Sequence, residues 1–406
     1  MSGRRVAVTG LGVICALGKN TPEVWDALRE GRSGIAPLQL VDPAKLRFQN
    51  GAEVRGFDPE KHFPGSQQDH LDRFAQFAVV AAREAIQDSG IAFSDELREK
   101  TVIATGSCVG GQQTQDTGFV DLYQRGRGRV HPLTIPKVMA NAGAGHISME
   151  FGITGPAFTV STACSSANHA IGQAFHMIRS GTAEAAIAGG SEAPFSLGLL
   201  KAWEAMRVIS PDTCRPFSKN RLGMILGEGA GMLVLEPLED ARSRGAKIYG
   251  EIAGFGMSAD AYHLTAPSAL GAASAMRRAL RDGEIGPDKI LYVNAHGTGT
   301  AANDSTETRA IRDVFGVHAD RLAVSSTKSM HGHALGAAGS LESIATFLAL
   351  REGILPPTAN YMEPDPECDL DYVPNQAREA KIEWALSNSF AFGGLNAVLA
   401  FRSHSR

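Results

Sequence analysis

Short apolar runs alternate with longer stretches of helical periodicity along the chain. Val6–Thr9 opens a strand. The "TPEVWDALREG" that follows reads as a helix start, with Thr21 as cap, Pro22 in the first turn and Glu23 as early negative charge. Residues 39–71 are polar and aperiodic and read as a surface excursion. "LDRFAQFAVVAAREAIQDSG" (71–90) carries an apolar stripe that stops at Gly90. Strand candidates follow at 101–107, 157–162, 183–190 and 231–238. A second series lies at 248–256, 290–297, 322–329, 384–390 and 397–402. Long helical patterns between them predict an α/β class. The two series predict two similar α/β halves, 1–250 and 251–406.

Composition narrows this only a little. With 406 residues, 43% hydrophobic, there is ample material for a large core. A formal charge of −4 and the lack of a dense Lys/Arg tract argue against nucleic-acid binding. No run of 18 apolar residues suggests a membrane span, and the first residues lack the apolar region of a signal peptide. Five cysteines, odd in number and sparse, predict no disulfide framework and a reducing, cytoplasmic setting.

One cysteine stands apart. Cys164, in "STACSSANHA", follows strand candidate 157–162 and precedes a helical pattern through Ala167, Ala170, Ile171, Ala174, Phe175 and Ile178. It therefore falls at a helix N-terminus, where free backbone N–H groups favour a thiolate and lower the thiol pKa. His169 is more than a turn further on, so no direct Cys–His pair is expected there. Cys108, in "GSCVGG", has a flexible setting.

Two histidines also fall at strand ends. "YVNAHGTGT" places His296 just after the apolar run that opens at 290, with the hydroxyls of Thr298 and Thr300 beside it. "SSTKSMHGHALGAAG" places His333 just before a small-residue helix, with Lys328 and His331 upstream and Glu342 further along that helix. C-terminal strand ends are where α/β sheets place ligand chemistry. Two neutral imidazole N–H groups can clamp an oxygen that gains negative charge. Lys328 can orient a group, Glu342 can anchor Lys328, and His331 is a pocket-lining or supporting residue. In "SNSFAFGGLNAVLAF", Phe390 and Phe392 bracket the approach to a pocket. Phe392, just before Gly393 and Gly394, is the better gate, and its N–H could join that of Cys164 in an oxyanion hole. A metal site on His296, His331 and His333 lacks an HExxH or paired-cysteine pattern. In "VTGLGVICALG", Cys15 occupies the third glycine place of a dinucleotide loop.

Taken in order, "TACSSA", "NAHGTGT", "STKSMHGHALGAAG" and "NSFAFGG" resemble the motifs of the elongating, type II β-ketoacyl-acyl-carrier-protein synthases of the thiolase superfamily. The likeness runs from "RRVAVTGLGV" to "NAVLAF". It implies a duplicated thiolase-type fold, two βαβαβαββ halves layered α-β-α-β-α, working as a homodimer, with a heterodimer as the alternative. It implies Cys164 as nucleophile, His296 and His333 as the histidine pair, and Lys328 with Glu342 as its support. Phe392 is then the gate, and Thr298 and Thr300 contact phosphopantetheine. Val109 would reach across the dimer toward the partner's acyl pocket. The implied reaction is decarboxylative condensation of an acyl-enzyme with malonyl-acyl carrier protein. The enzyme itself needs no cofactor, because the 4'-phosphopantetheine arrives on the carrier. An acidic carrier would dock on exposed basic residues, with Lys201 and Arg207 as candidates.

Ala391 stands where the family usually has glycine, Leu395 where it has threonine, and His331 where it has a small hydroxyl residue. "SSTKSMHGH", "GTGTAAND" and "PPTANYMEPDPECDLD" especially resemble the nodulation-protein synthases. Two other readings stand beside this one. A thiolase-type acyltransferase would need a second cysteine near the C-terminal turn, and an acyl-binding or chain-length partner would lack the nucleophile.

Overall fold

The computed structural model describes residues 3–404. Its first half contributes strands β1 (Val6–Cys15), β2 (Thr101–Gly106), β3 (Ala157–Val160), β4 (Ala185–Glu192) and β5 (Gly229–Pro237). The second half contributes β6 (Gly250–Ala259), β7 (Ile290–Asn294), β8 (Ala323–Ser325), β9 (Trp384–Ala391) and β10 (Leu395–Ser403). They pair in the order β8-β7-β9-β10-β6-β1-β5-β4-β2-β3. Within each half the third strand is outermost and the first innermost. Both halves thus run 3-2-4-5-1, with the same parallel and antiparallel neighbours. The halves meet along a short antiparallel seam, Val6–Val8 against Gly250–Ile252.

Helix α1 (Arg73–Ser89) packs outside the first half-sheet with α2 (Ala142–Phe151). Helices α4 (Ala269–Asp282) and α5 (Ala301–Phe315) cover the second. Between the half-sheets lie α3 (Ser166–Ser180) and α6 (Ala338–Glu352), which touch each other and strands of both halves. The layers are therefore α-β-α-β-α.

The duplication extends to packing detail. A Cβ on Gly10 or Gly12 of β1 would sit 2.0 Å from the carbonyls of Ala85 or Ala81 on α1. A Cβ on Gly254 or Gly256 of β6 would sit 2.3 or 2.2 Å from those of Ala279 or Ala275 on α4. The glycines of "TGLGV" thus let a helix approach its strand and form no nucleotide loop.

Three expectations change. Asn20, not Thr21, caps the helix Thr21–Arg29 by accepting from Glu23 N–H. The strand expected at 322–329 ends at Ser325, because Ser329 and Met330 turn back onto the carbonyls of Ser326 and Thr327 and start a short helix, Lys328–His331. Residues 39–71 are not merely a surface excursion. Val41, Leu46 and Phe48, with Leu38 before them, are buried in the cluster that contains Cys164 and Trp203.

Candidate active site

Cys164 follows β3 and stands two residues before α3. Ala163, just ahead of it, holds φ +49, a left-handed conformation that costs a β-carbon residue about 1–2 kcal/mol. The turn is closed by Ser165 N–H and Ser166 N–H donating to the carbonyls of Thr162 and Ala163. Cys164 is 6% exposed, packed near Leu335, Trp203 and Met224. Burial pushes its thiol up to about 12 although Lys328 pulls it down. The expectation of a depressed thiol is therefore overturned. The helix N-terminus favours the thiolate, but desolvation outweighs it, and the neutral thiol is the resting form.

His296 is set by a buried carboxylate. Glu307 on α5 accepts from the backbone N–H of His296 (2.9 Å) and Gly297 (2.8 Å) and from Asn388 Nδ2 (3.0 Å). The backbone of His333 is tied to 225–227, donating to Ile225 O (2.7 Å) and accepting from Gly227 N (2.9 Å). The two rings stand nearly perpendicular with centroids 5.3 Å apart. His333 Nδ1 accepts from Leu335 N–H (3.1 Å), so in the neutral ring the proton is on Nε2. Burial, aided by the charge of Lys328, holds both histidines well below the usual imidazole range. Both are neutral at pH 7.

Lys328 and Glu342 form a fully buried ion pair. Burial pushes the Glu342 carboxyl up to about 7 against the pull of Lys328. Neither residue lines the cavity. They lie behind the histidines and set the local potential.

One cavity of about 120 Å³ is lined by Cys164, His296, His333, Thr298, Thr300, Phe390 and Phe392, together with Trp203 and Met224. The Thr298 and Thr300 hydroxyls are 2.9 Å apart. Phe390 meets His296 edge-on at 6.1 Å, and Phe392 stacks on Trp203. Gly393 holds φ +81 and donates its N–H to Leu264 O, fastening the expected gate to residues 264–267 at the rim. Among the described residues, no group of three or more His, Cys, Asp or Glu is arranged to hold a metal ion.

Two of the candidate residues lie outside the cavity of the single chain. His331 does not line the cavity. Its Nδ1 meets Gly332 O (2.8 Å) and its Nε2 meets Thr327 Oγ1 (2.9 Å), so both nitrogens are spent inside the fold, where burial pushes the ring down to about 3. Val109 is half-buried in the loop after β2, outside the cavity of the single chain. His169 is likewise occupied, with Nδ1 between Thr162 Oγ1 and Ser165 O.

A family model for the N-terminal domain of beta-ketoacyl synthases matches residues 3–241, and one for the C-terminal domain matches residues 249–362. This chain belongs to the beta-ketoacyl synthase family. Nodulation protein E of Rhizobium sp. (strain N33) is 50% identical over 403 residues, spanning 98% of this chain and 99% of the relative. A 3-oxoacyl-[acyl-carrier-protein] synthase 2 of Synechocystis sp. is 43% identical over 409 residues, spanning 99% and 98%. Among solved structures, the ishigamide ketosynthase/chain length factor superposes with TM-score 0.95 at 39% identity, covering 99% of this chain and 100% of that one. A type II polyketide acyl-carrier protein in complex with its ketosynthase, bound to the hexaketide, superposes at 0.91 and 32%, with coverage of 99% and 100%. The architecture is the duplicated thiolase-type fold of condensing enzymes, and the chain is a ketoacyl synthase with their condensation chemistry.

The pattern of the chain gave no sign of three carboxylates in this ketoacyl synthase. Glu307 holds the His296 turn. Asp304 accepts from Phe217 N (2.7 Å) and Gly299 N (3.2 Å), fixing the Thr298–Thr300 loop. Glu192, at the end of β4, accepts from Cys108 N (2.6 Å), Val109 N (3.3 Å), Ser107 Oγ (3.0 Å) and Gly336 N (3.0 Å). It joins the loop after β2 to the turn beyond His333. Cys108 is thereby held against Glu192 and is not on a flexible loop.

Proposed function

We propose that this ketoacyl synthase elongates acyl chains in two half-reactions with acyl carrier protein. Cys164 Sγ attacks the acyl thioester. A C–S bond to Cys164 forms, the carrier's C–S bond breaks, and the thiol proton ends on the released phosphopantetheine thiol. Malonyl carrier protein then enters, with Thr298 and Thr300 holding its arm and Phe392 and Phe390 gating the approach. The malonyl C–C bond breaks and CO₂ leaves. The electron pair forms an enolate whose oxygen is held by His333 Nε2–H and by His296. The enolate carbon attacks the acyl carbon, the Cys164 C–S bond breaks, and the sulfur takes a proton from solvent. The product is a β-ketoacyl chain two carbons longer.

The observation that carries this reading is the pair of neutral, perpendicular imidazoles 5.3 Å apart on the cavity that also holds Cys164. The cysteine argues against a chain-length partner. The carrier is supported by the acyl-carrier protein complex among the structural relatives. We further place the enzyme in the cytoplasm as a homodimer in which Val109 faces the partner's acyl pocket, in keeping with five unpaired cysteines. Among the described residues no helix is long and apolar enough to cross a membrane.

The test is mass analysis of products from defined acyl and malonyl carrier proteins. The reading requires a β-ketoacyl product two carbons longer with wild type and none with Cys164→Ser. Undiminished condensation by Cys164→Ser overturns it.

A further inference from the structure

Trp203, on the helix Leu197–Met206, lines the catalytic cavity. It is 9% exposed and stacks on Phe392 with ring centroids 6.1 Å apart and planes at 25°. Its indole Nε1 is buried and has no hydrogen-bond partner among the described residues. The residues clustered with it, Leu200, Met224, Leu226 and Leu335 among them, are apolar. An indole N–H can only donate. Leaving such a donor buried and unpaired costs its full desolvation, and folded proteins tolerate few of these. A phenylalanine would fill the same wall without that cost.

We propose that Trp203 is a specificity residue whose N–H donates to a keto or hydroxyl oxygen on the acyl chain seated in the cavity. The enzyme then selects oxygen-bearing chains over saturated ones. This rests on the ketosynthase reading and adds a substrate class to it. An apolar wall separates chains of similar shape only weakly. A buried donor that one chain satisfies and another leaves unpaired separates them much more strongly. Among the described residues no side chain competes for this donor.

The test uses octanoyl thioesters, one saturated and the others carrying a single keto or hydroxyl oxygen at C3, C5 or C7. Acylation of Cys164 is followed in wild type and in Trp203→Phe. Wild type is expected to favour at least one oxygenated chain by about tenfold in kcat/KM, the worth of one buried hydrogen bond. In Trp203→Phe that ratio should fall to about one. A ratio unchanged by the substitution, or no preference in wild type, overturns the proposal. A keto-only or hydroxyl-only preference identifies the oxygen. In ¹⁵N-indole-labelled wild type, a tryptophan N–H resonance should move on acylation with the favoured chain and stay with the saturated one. That decides the matter even if the variant does not fold. Wild type that condenses none of these chains with a malonyl thioester would instead overturn the ketosynthase reading.

Discussion

Glu342→Gln removes the carboxylate from a pair in which both side chains are fully buried. Lys328 is then left in the interior without the carboxylate that faces it. Breaking a buried pair from one side costs about 3–5 kcal/mol, because the remaining ion has lost water and partner alike. At about 2 cal/mol/K of unfolding entropy per residue, a chain of 406 residues should melt about 4–6 °C lower. Lys328→Met on top of Glu342→Gln removes the stranded charge and should recover most of that loss. Calorimetry on wild type, the two single variants and the double variant closes the cycle. The reasoning fails if Glu342→Gln melts within 1 °C of wild type, or if the double variant is no more stable than Glu342→Gln.

Two further outcomes concern protons. Burial pushes Glu192 up to about 7. Through the window from the ordinary carboxylate range to 7, the folded protein keeps a proton that the unfolded chain releases. This group's contribution to stability therefore falls as pH rises, by at most about 1.4 kcal/mol per pH unit. Glu192→Gln should remove that slope in pH-dependent urea melts, and an identical slope in the variant would contradict the assignment. With its thiol pushed up to about 12, Cys164 should alkylate with iodoacetamide at a rate that still climbs about tenfold per unit between pH 8 and 10. A plateau by pH 8 would show that the helix N-terminus prevails over burial.

The alternation of apolar runs with helical patterns was enough to locate the ten strands of the main sheet, though the one expected at 322–329 stops at Ser325 where a short helix begins. Cys164 and His296 were legible because each comes shortly after a strand and precedes a helix or a glycine turn, and His333 was legible from its place before a small-residue helix. What stayed hidden depends on contacts between distant segments. Glu307 and Asp304 look like ordinary exposed acids in "ANDSTETRA", and only the fold brings backbone N–H groups from the 217 and 296–299 loops against them. Helix α6 reads in the sequence as a small-residue helix after His333. It is buried on every side at 338–350 because it lies between two half-sheets, and local periodicity carries no information about a second covering layer. The thiol pKa was misjudged in the same way. The helix end is local, whereas the side chains that desolvate Cys164, such as Leu335 and Trp203, are remote. His331 shares a motif with His333, yet the short helix Lys328–His331 points it into the fold.

The central claim is that a sulfur and two neutral imidazoles divide the work of one cavity. The most direct measurement is His333→Ala, with acylation of Cys164 and malonyl decarboxylation followed separately by rapid-quench mass spectrometry. Loss of one preorganised donor to a developing oxyanion should slow decarboxylation by about 10²–10³-fold while the acyl-enzyme still forms. Decarboxylation at the wild-type rate, or an equal fall in both half-reactions, would contradict the account.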